Sequence, residues 1–157
     1  MRVCRRSILD RRIARVYNHF MAAYDDLIMD HIKNARNFRA IDDASRTANG
    51  SNPLCGDEMA VYVRIEGERI AEVSFQCTCC GISMASASIM TETVLGKSLE
   101  DAKHVLGDVM SMIEAGAASS RGPMTPERLA LLETVTKYPA RRRCAALAWA
   151  TLEGALT

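Results

Sequence analysis

Three thiols and one carboxylate, drawn from three distant stretches of the chain, are the residues best suited to chemistry. Cys55 and Asp57 stand two apart in Asn52-Pro53-Leu54-Cys55-Gly56-Asp57. Cys80 opens Cys80-Gly81-Ile82-Ser83-Met84-Ala85-Ser86-Ala87-Ser88, and Cys144 follows Arg141-Arg142-Arg143. Four such donors are the number that a tetrahedral soft cation or an exposed iron–sulfur cluster requires. The carboxylate is a hard donor among soft ones, and so the corner most readily exchanged. If Cys55 to Asp57 is extended, its side chains two apart lie on one side and reach one ion. Cys80 and Cys144 each fall at the start of a predicted helix, where free N–H groups and partial positive charge favour a thiolate. The arginine run adds positive potential beside Cys144 and can steer a partner by charge. One isolated cysteine is more often a small buried hydrophobe. For Cys55 and Asp57 with Cys80 and Cys144, spacing alone leaves that reading and a shared site evenly matched.

These residues need elements to position them. Tyr24 to Arg36 carries apolar residues at three- and four-residue steps and predicts a helix. Asn37 to Asn52 is polar and turn-rich, a loop or weak edge strand. Met59 to Ile65 and Ile70 to Phe75 alternate about the turn Glu66-Gly67-Glu68-Arg69, the pattern of a β-hairpin. A loop through Cys77-Thr78-Cys79-Cys80 leads into a small-residue helix from about Ile82 to Leu95. Ser98 caps the next helix, with Asp101 completing a capping box. After a loop over Ala117 to Pro123, Thr125-Pro126-Glu127 starts another helix. Pro139 interrupts, and a last helix runs from near Arg141 to Leu156. The fold class is α+β, a small antiparallel sheet of about three strands packed against four to five helices.

At 157 residues the chain is long enough for one domain with a buried core. Residues 1–20 read as a separate Arg-rich arm and residues 21–157 as the domain. The arm resembles an organelle-targeting segment in composition, but a solvated arm or an early start codon upstream of Met21 is the simpler reading. Cys4 within it takes no metal role. A net charge of +1 gives no reason to expect nucleic acid or an anionic membrane surface as partner. No stretch has the apolar length of a membrane helix. Six cysteines without a secretory signal suit a reducing cytoplasm, where thiols act as ligands or redox groups.

Other residues are weaker candidates. Ser83, Ser86 and Ser88 have no histidine nearby in sequence and favour close helix packing instead. His31, on a helix with an apolar face, reads as a hydrogen-bonded structural histidine. The nine methionines read as core filler. Trp149 packs on the sheet or borders a partner surface. A zinc deaminase is disfavoured because its His-x-Glu and Pro-Cys-x-x-Cys signature is absent. A purely structural zinc site would pair its ligands in closely spaced knuckles.

From Tyr24 to Leu156 the chain resembles the U-type iron–sulfur assembly scaffold family, comprising IscU, SufU and the N-terminal part of NifU. The carriers are Ile28-Met29-Asp30-His31, Lys33-Asn34-Ala35-Arg36-Asn37, the Asn52 to Asp57 motif, Cys80 to Ser88, and Cys144-Ala145-Ala146-Leu147-Ala148-Trp149. The resemblance implies a metal site of Cys55, Asp57, Cys80 and Cys144. It is closest to the SufU branch, because the interval from Cys80 to Cys144 is long and Arg143 stands where IscU-type proteins carry histidine. Lys137-Tyr138-Pro139-Ala140-Arg141 matches the IscU chaperone-recognition motif poorly. The resemblance therefore implies bound Zn2+, with Cys55 accepting persulfide sulfur from a SufS-type cysteine desulfurase, a sulfurtransferase-like role. The alternative is a scaffold that builds a [2Fe-2S] cluster at Cys55, Cys80 and Cys144 and passes it to downstream assembly or apo-proteins. Cys77 and Cys79 replace glycines usual in SufU-like proteins. They are an alternative ligand or a relay thiol, or, as the favoured reading, tolerated changes in an exposed loop.

Overall fold

The computed structural model describes residues 26–116 and 129–157. The Arg-rich arm and the predicted helix start at Thr125 lie outside them. In chain order the elements are α1 (Asp26–Lys33), β1 (Arg46–Asn52), β2 (Asp57–Glu66), β3 (Arg69–Thr78), α2 (Gly81–Val94), α3 (Leu99–Ala115), α4 (Ala130–Thr136) and α5 (Pro139–Leu156). The three strands form one antiparallel sheet in the order β1-β2-β3, so the α+β expectation holds.

Alternation builds the sheet. Met59, Val61 and Val63 on β2 are buried, and their register partners Cys77, Phe75 and Val73 on β3 share that inward face. Gly67 and Glu68, both at positive φ, form the two-residue turn that joins these strands. The free edge of β3 is covered in part by residues 37–39: Phe75 N–H donates to the Asn37 carbonyl and Arg39 N–H to the Phe75 carbonyl. Phe38 meets Phe75 edge-on at 5.3 Å.

The helices close the inward face. On α2, small residues are buried on nearly every side, which lets neighbouring helices approach closely. Ser98 accepts from Asp101 N–H at 3.0 Å, the expected cap of α3. Gly116, in the left-handed conformation, ends that helix. The helical stretch breaks at Lys137 and Tyr138, just before Pro139 as expected, and Pro139 itself starts α5 two residues ahead of Arg141, in the first turn, where its missing N–H leaves no partner unsatisfied.

Two contacts fix α5 in place. Trp149 is fully buried, with its indole N–H donating to Ser86 on α2 at 3.1 Å, so it borders no partner surface. Gly50 lies on β1 directly beneath α5, where an added Cβ would fall 2.0 Å from Thr151 Oγ1. Only glycine allows this strand–helix approach. The same helix face carries Cys144, two turns before Thr151.

Candidate metal and sulfur site

The site forms where β1 turns into β2. Asn52 pairs with Asp57 across the strands, and residues 53–56 make the connecting turn. Asn52 fixes that turn: its backbone carbonyl accepts from Cys55 N–H at 3.2 Å and its side-chain oxygen from Leu54 N–H at 3.3 Å. Gly56 completes the reversal at φ 68°, a conformation costly for other residues. Cys55 and Asp57 are thus not neighbours on one extended strand. The turn presents Cys55 outward while Asp57 begins β2, buried.

Cys144 reaches the site from the opposite side. Because α5 begins at Pro139, Cys144 lies in its second turn rather than at its start. The expected activation by a helix N-terminus therefore does not apply to it, since that field falls off within the first turn. Instead Cys144 is fully buried. Burial, then hydrogen bonding with Cys55 and the charge of Cys80, push its thiol up from 9.0 to about 12. Its Sγ lies 3.6 Å from Cys55 Sγ, and Asn52 Nδ2 lies 4.0 Å from the same sulfur.

Cys80 does sit at a helix start, as the N-cap of α2. Its N–H donates to Asp57 Oδ1 at 3.1 Å. Ser83, one turn into α2, donates to Asp57 Oδ2 at 2.8 Å. The Ser83 hydroxyl also lies 3.1 Å from the Cys144 carbonyl and 3.5 Å from Cys80 Sγ. Ser83 therefore joins two of the four candidate donors, Asp57 and Cys80, and touches the backbone of a third, Cys144. The sequence pattern makes Ser83 a packing residue; its position one helical turn after Cys80 is the signal that points to the site instead.

Donor atoms of Cys55, Asp57 and Cys144 lie within 4.8 Å of one another, the group among the described residues compact enough for a cation. Cys80 Sγ stands outside this group, though it is near enough to help Cys144 keep its proton. The donor set fits zinc on chemistry and on spacing: tetrahedral Zn–S bonds of about 2.3 Å place two sulfurs ~3.8 Å apart, close to the observed 3.6 Å. Each Asp57 oxygen, though hydrogen-bonded, keeps a further lone pair for a ligand bond.

Other expectations fall out differently. His31 Nδ1 pairs with Ser88 Oγ at 2.8 Å, deep in the core and consistent with a structural role. Of the arginine run, Arg142 donates to the Thr136 carbonyl at 2.8 Å and to that of Glu114, tying α5 to α4 and α3. It therefore serves the fold, while Arg143 is exposed. Cys77 and Cys79 do not belong to an exposed loop: both are half-buried, Cys77 lies within β3, and the two are joined in a disulfide.

Relatives agree with this architecture. Residues 23–145 match the NifU-like N-terminal domain family. The chain belongs to the U-type iron–sulfur cluster assembly scaffold family. It is 36% identical over 133 residues to the zinc-dependent sulfurtransferase SufU of Bacillus subtilis, covering 83% of this chain and 86% of that protein. It is 35% identical over 142 residues to the iron–sulfur cluster assembly scaffold protein IscU of Thermotoga maritima, covering 87% and 94%. The crystal structure of a SUF-system scaffold from Fervidobacterium islandicum superposes with a TM-score of 0.74 at 30% identity, over 87% of this chain and 98% of that one. Among the described residues no helix is long and apolar enough to cross a membrane.

Proposed function

We propose that this protein is a cytoplasmic sulfur acceptor for iron–sulfur cluster assembly, loaded by a SufS-type cysteine desulfurase. Cys55 is the acceptor, and Cys55, Asp57, Cys80 and Cys144 hold zinc in the resting protein. The observation that carries this reading is the unequal exposure of two adjacent sulfurs. Cys55 is exposed on a turn beside Leu54, which is 73% exposed, whereas Cys144 is 0% exposed. A thiol carried by another protein can reach only the first.

The chemistry follows thiol–disulfide exchange. Cys55 thiolate attacks the outer sulfur of the desulfurase persulfide; the desulfurase thiolate leaves, and Cys55 carries S–SH. Bound zinc would keep the donor thiols deprotonated. Asp57, anchored by Cys80 N–H and Ser83, presents an oriented carboxylate beside the reacting sulfur. The similarity to a zinc-dependent sulfurtransferase supports this assignment.

A second reading has its own support in the similarity to an IscU scaffold over most of both chains. Here the same donors assemble a [2Fe-2S] cluster as cargo and deliver it to acceptor proteins. Metal analysis combined with desulfurase turnover, with and without this protein, separates the two. Zinc in the purified protein and turnover lost in Cys55→Ser supports sulfur acceptance. A visible charge-transfer spectrum after anaerobic reconstitution, with no effect on turnover, overturns it.

A further inference from the structure

Cys77 and Cys79 immediately precede Cys80 and are not part of the compact donor group. The strand register pairs Met59 with Cys77 and Glu58 with Thr78, so the chain leaves β3 at Cys79 near the start of β2 at Asp57. By strand alternation Cys77, Met59 and Asp57 share the inward face, and Cys79 follows the last residue of β3. The peptide nitrogen joining Cys79 to Cys80 is the one that donates to Asp57 Oδ1. Asp57 in turn lies within 4.8 Å of the Cys55 sulfur.

The bond between the pair is poorly suited to stabilising the fold. It links residues only two apart, so it removes little freedom from the unfolded chain. Nor is it sealed in the core: both residues are half-buried. Cys55, Cys80 and Cys144 meanwhile remain free thiols. A closed pair of half-buried cysteines, joined through the Cys80 N–H to the carboxylate that neighbours Cys55, is the oxidised form of a two-electron reductant.

We infer that Cys77 and Cys79 form a built-in dithiol that reduces sulfane sulfur on Cys55 to sulfide. This deepens the sulfur-acceptor reading and rests on it. The Cys79 thiolate attacks the outer sulfur of the Cys55 persulfide, so Cys79 carries S–SH and Cys55 leaves as thiolate. The Cys77 thiolate then attacks the inner sulfur of the Cys79 persulfide. The Cys77–Cys79 bond forms and hydrosulfide leaves. Two thiols lose two electrons to form the disulfide, and sulfane sulfur gains them to become sulfide. A thiol reductant, either a dithiol protein of thioredoxin type or a small-molecule thiol, reopens the pair by exchange.

The test uses the full-length zinc protein, reduced and freed of excess thiol, then loaded in a single turnover by a cysteine desulfurase with L-cysteine. Intact mass and peptide mapping locate added sulfur, differential alkylation reports the Cys77–Cys79 bond, and a colorimetric assay measures sulfide. The wild type is expected to release one sulfide per chain as the pair closes. The Cys77→Ser/Cys79→Ser variant is expected to keep one extra sulfur on Cys55 and to release sulfide about tenfold more slowly or worse until thiol is added. In Cys77→Ser alone, sulfur should come to rest on Cys79. Equal sulfide release by wild type and double variant overturns the inference while the acceptor reading stands. So does release from the wild type without closure of the pair, a readout that holds even if the variants misfold. Failure to find sulfur on Cys55 in the folded double variant overturns the acceptor reading and this inference with it.

Discussion

The β1–β2 turn and the second turn of α5 deliver sulfurs 3.6 Å apart from opposite surroundings. Cys55 rides on a four-residue turn with exposed Pro53, Leu54 and Gly56 for neighbours. Cys144 is enclosed between α5 and the sheet end, with no exposure. The turn is held by a few local hydrogen bonds from Asn52, the helix by Trp149, Ser86 and the close pass over Gly50. One sulfur is accessible and the other fixed, as a site needs if it is to hold a cation and still react with a protein partner. In such a site the reactive atom belongs on the element that is easiest to displace.

Substitutions can break this contrast. The largest effect is expected from Cys55→Ser: sulfur acceptance falls at least about a hundredfold, read as loss of persulfide on the protein after desulfurase turnover. The thermal midpoint of the metal-free protein should barely move, because the side chain is exposed. Cys144→Ser should do the reverse to the fold, placing a hydroxyl in a buried setting at a cost of roughly 1–3 kcal/mol, measured by denaturant titration. A Cys144→Ser protein as stable as the native one would mean that the helix side of the site is not the rigid side.

The packing that supports Cys144 is tested at a distance by Gly50→Ala. Its new methyl group collides with Thr151, and overpacking of this kind costs about 1–3 kcal/mol. Zinc affinity should weaken alongside stability if the approach of α5 sets the donor spacing. Ser83→Ala leaves both sulfurs in place but frees one Asp57 oxygen. Loss of such a supporting hydrogen bond weakens metal binding roughly tenfold, measurable by competition with a chelating dye, with little change in fold.

The smallest effect is a pH dependence. In the metal-free protein Cys144 keeps its proton up to about 12, against an ordinary value of 9.0. The folded state therefore binds more protons than the unfolded chain over that interval. This contribution to stability is complete below pH 9.0 and is lost as pH rises towards about 12. Denaturation midpoints of the metal-free protein should fall over that window less steeply in Cys144→Ala than in the native protein.

Local patterns carried much of the architecture. The alternation of Met59 to Ile65 and Ile70 to Phe75, the Ser98 cap and the reversal at Gly67 each depend on neighbours in sequence, and each forms as its residues dictate. The start of α5 shows the limit. Proline ends one helix as readily as it begins another, and starting the last helix at Arg141 instead of Pro139 places Cys144 two residues too near its start. That error reverses the expected environment of its thiol. The bond between Cys77 and Cys79 was hidden for a related reason: β3 extends through Cys77 to Thr78, and only its register turns Cys77 inward.

From sequence alone, the residue types fixed the kind of chemistry available: soft thiols, one hard carboxylate, and a turn and a helix start to carry them. Donor identity and local conformation are properties of short segments. Tertiary structure alone decided which sulfur is open and which enclosed, and that Ser83 rather than a neighbour orients Asp57. These depend on α5 lying over Gly50 and α2 abutting the end of β2, contacts between residues far apart in sequence whose geometry is set by side-chain volume and burial.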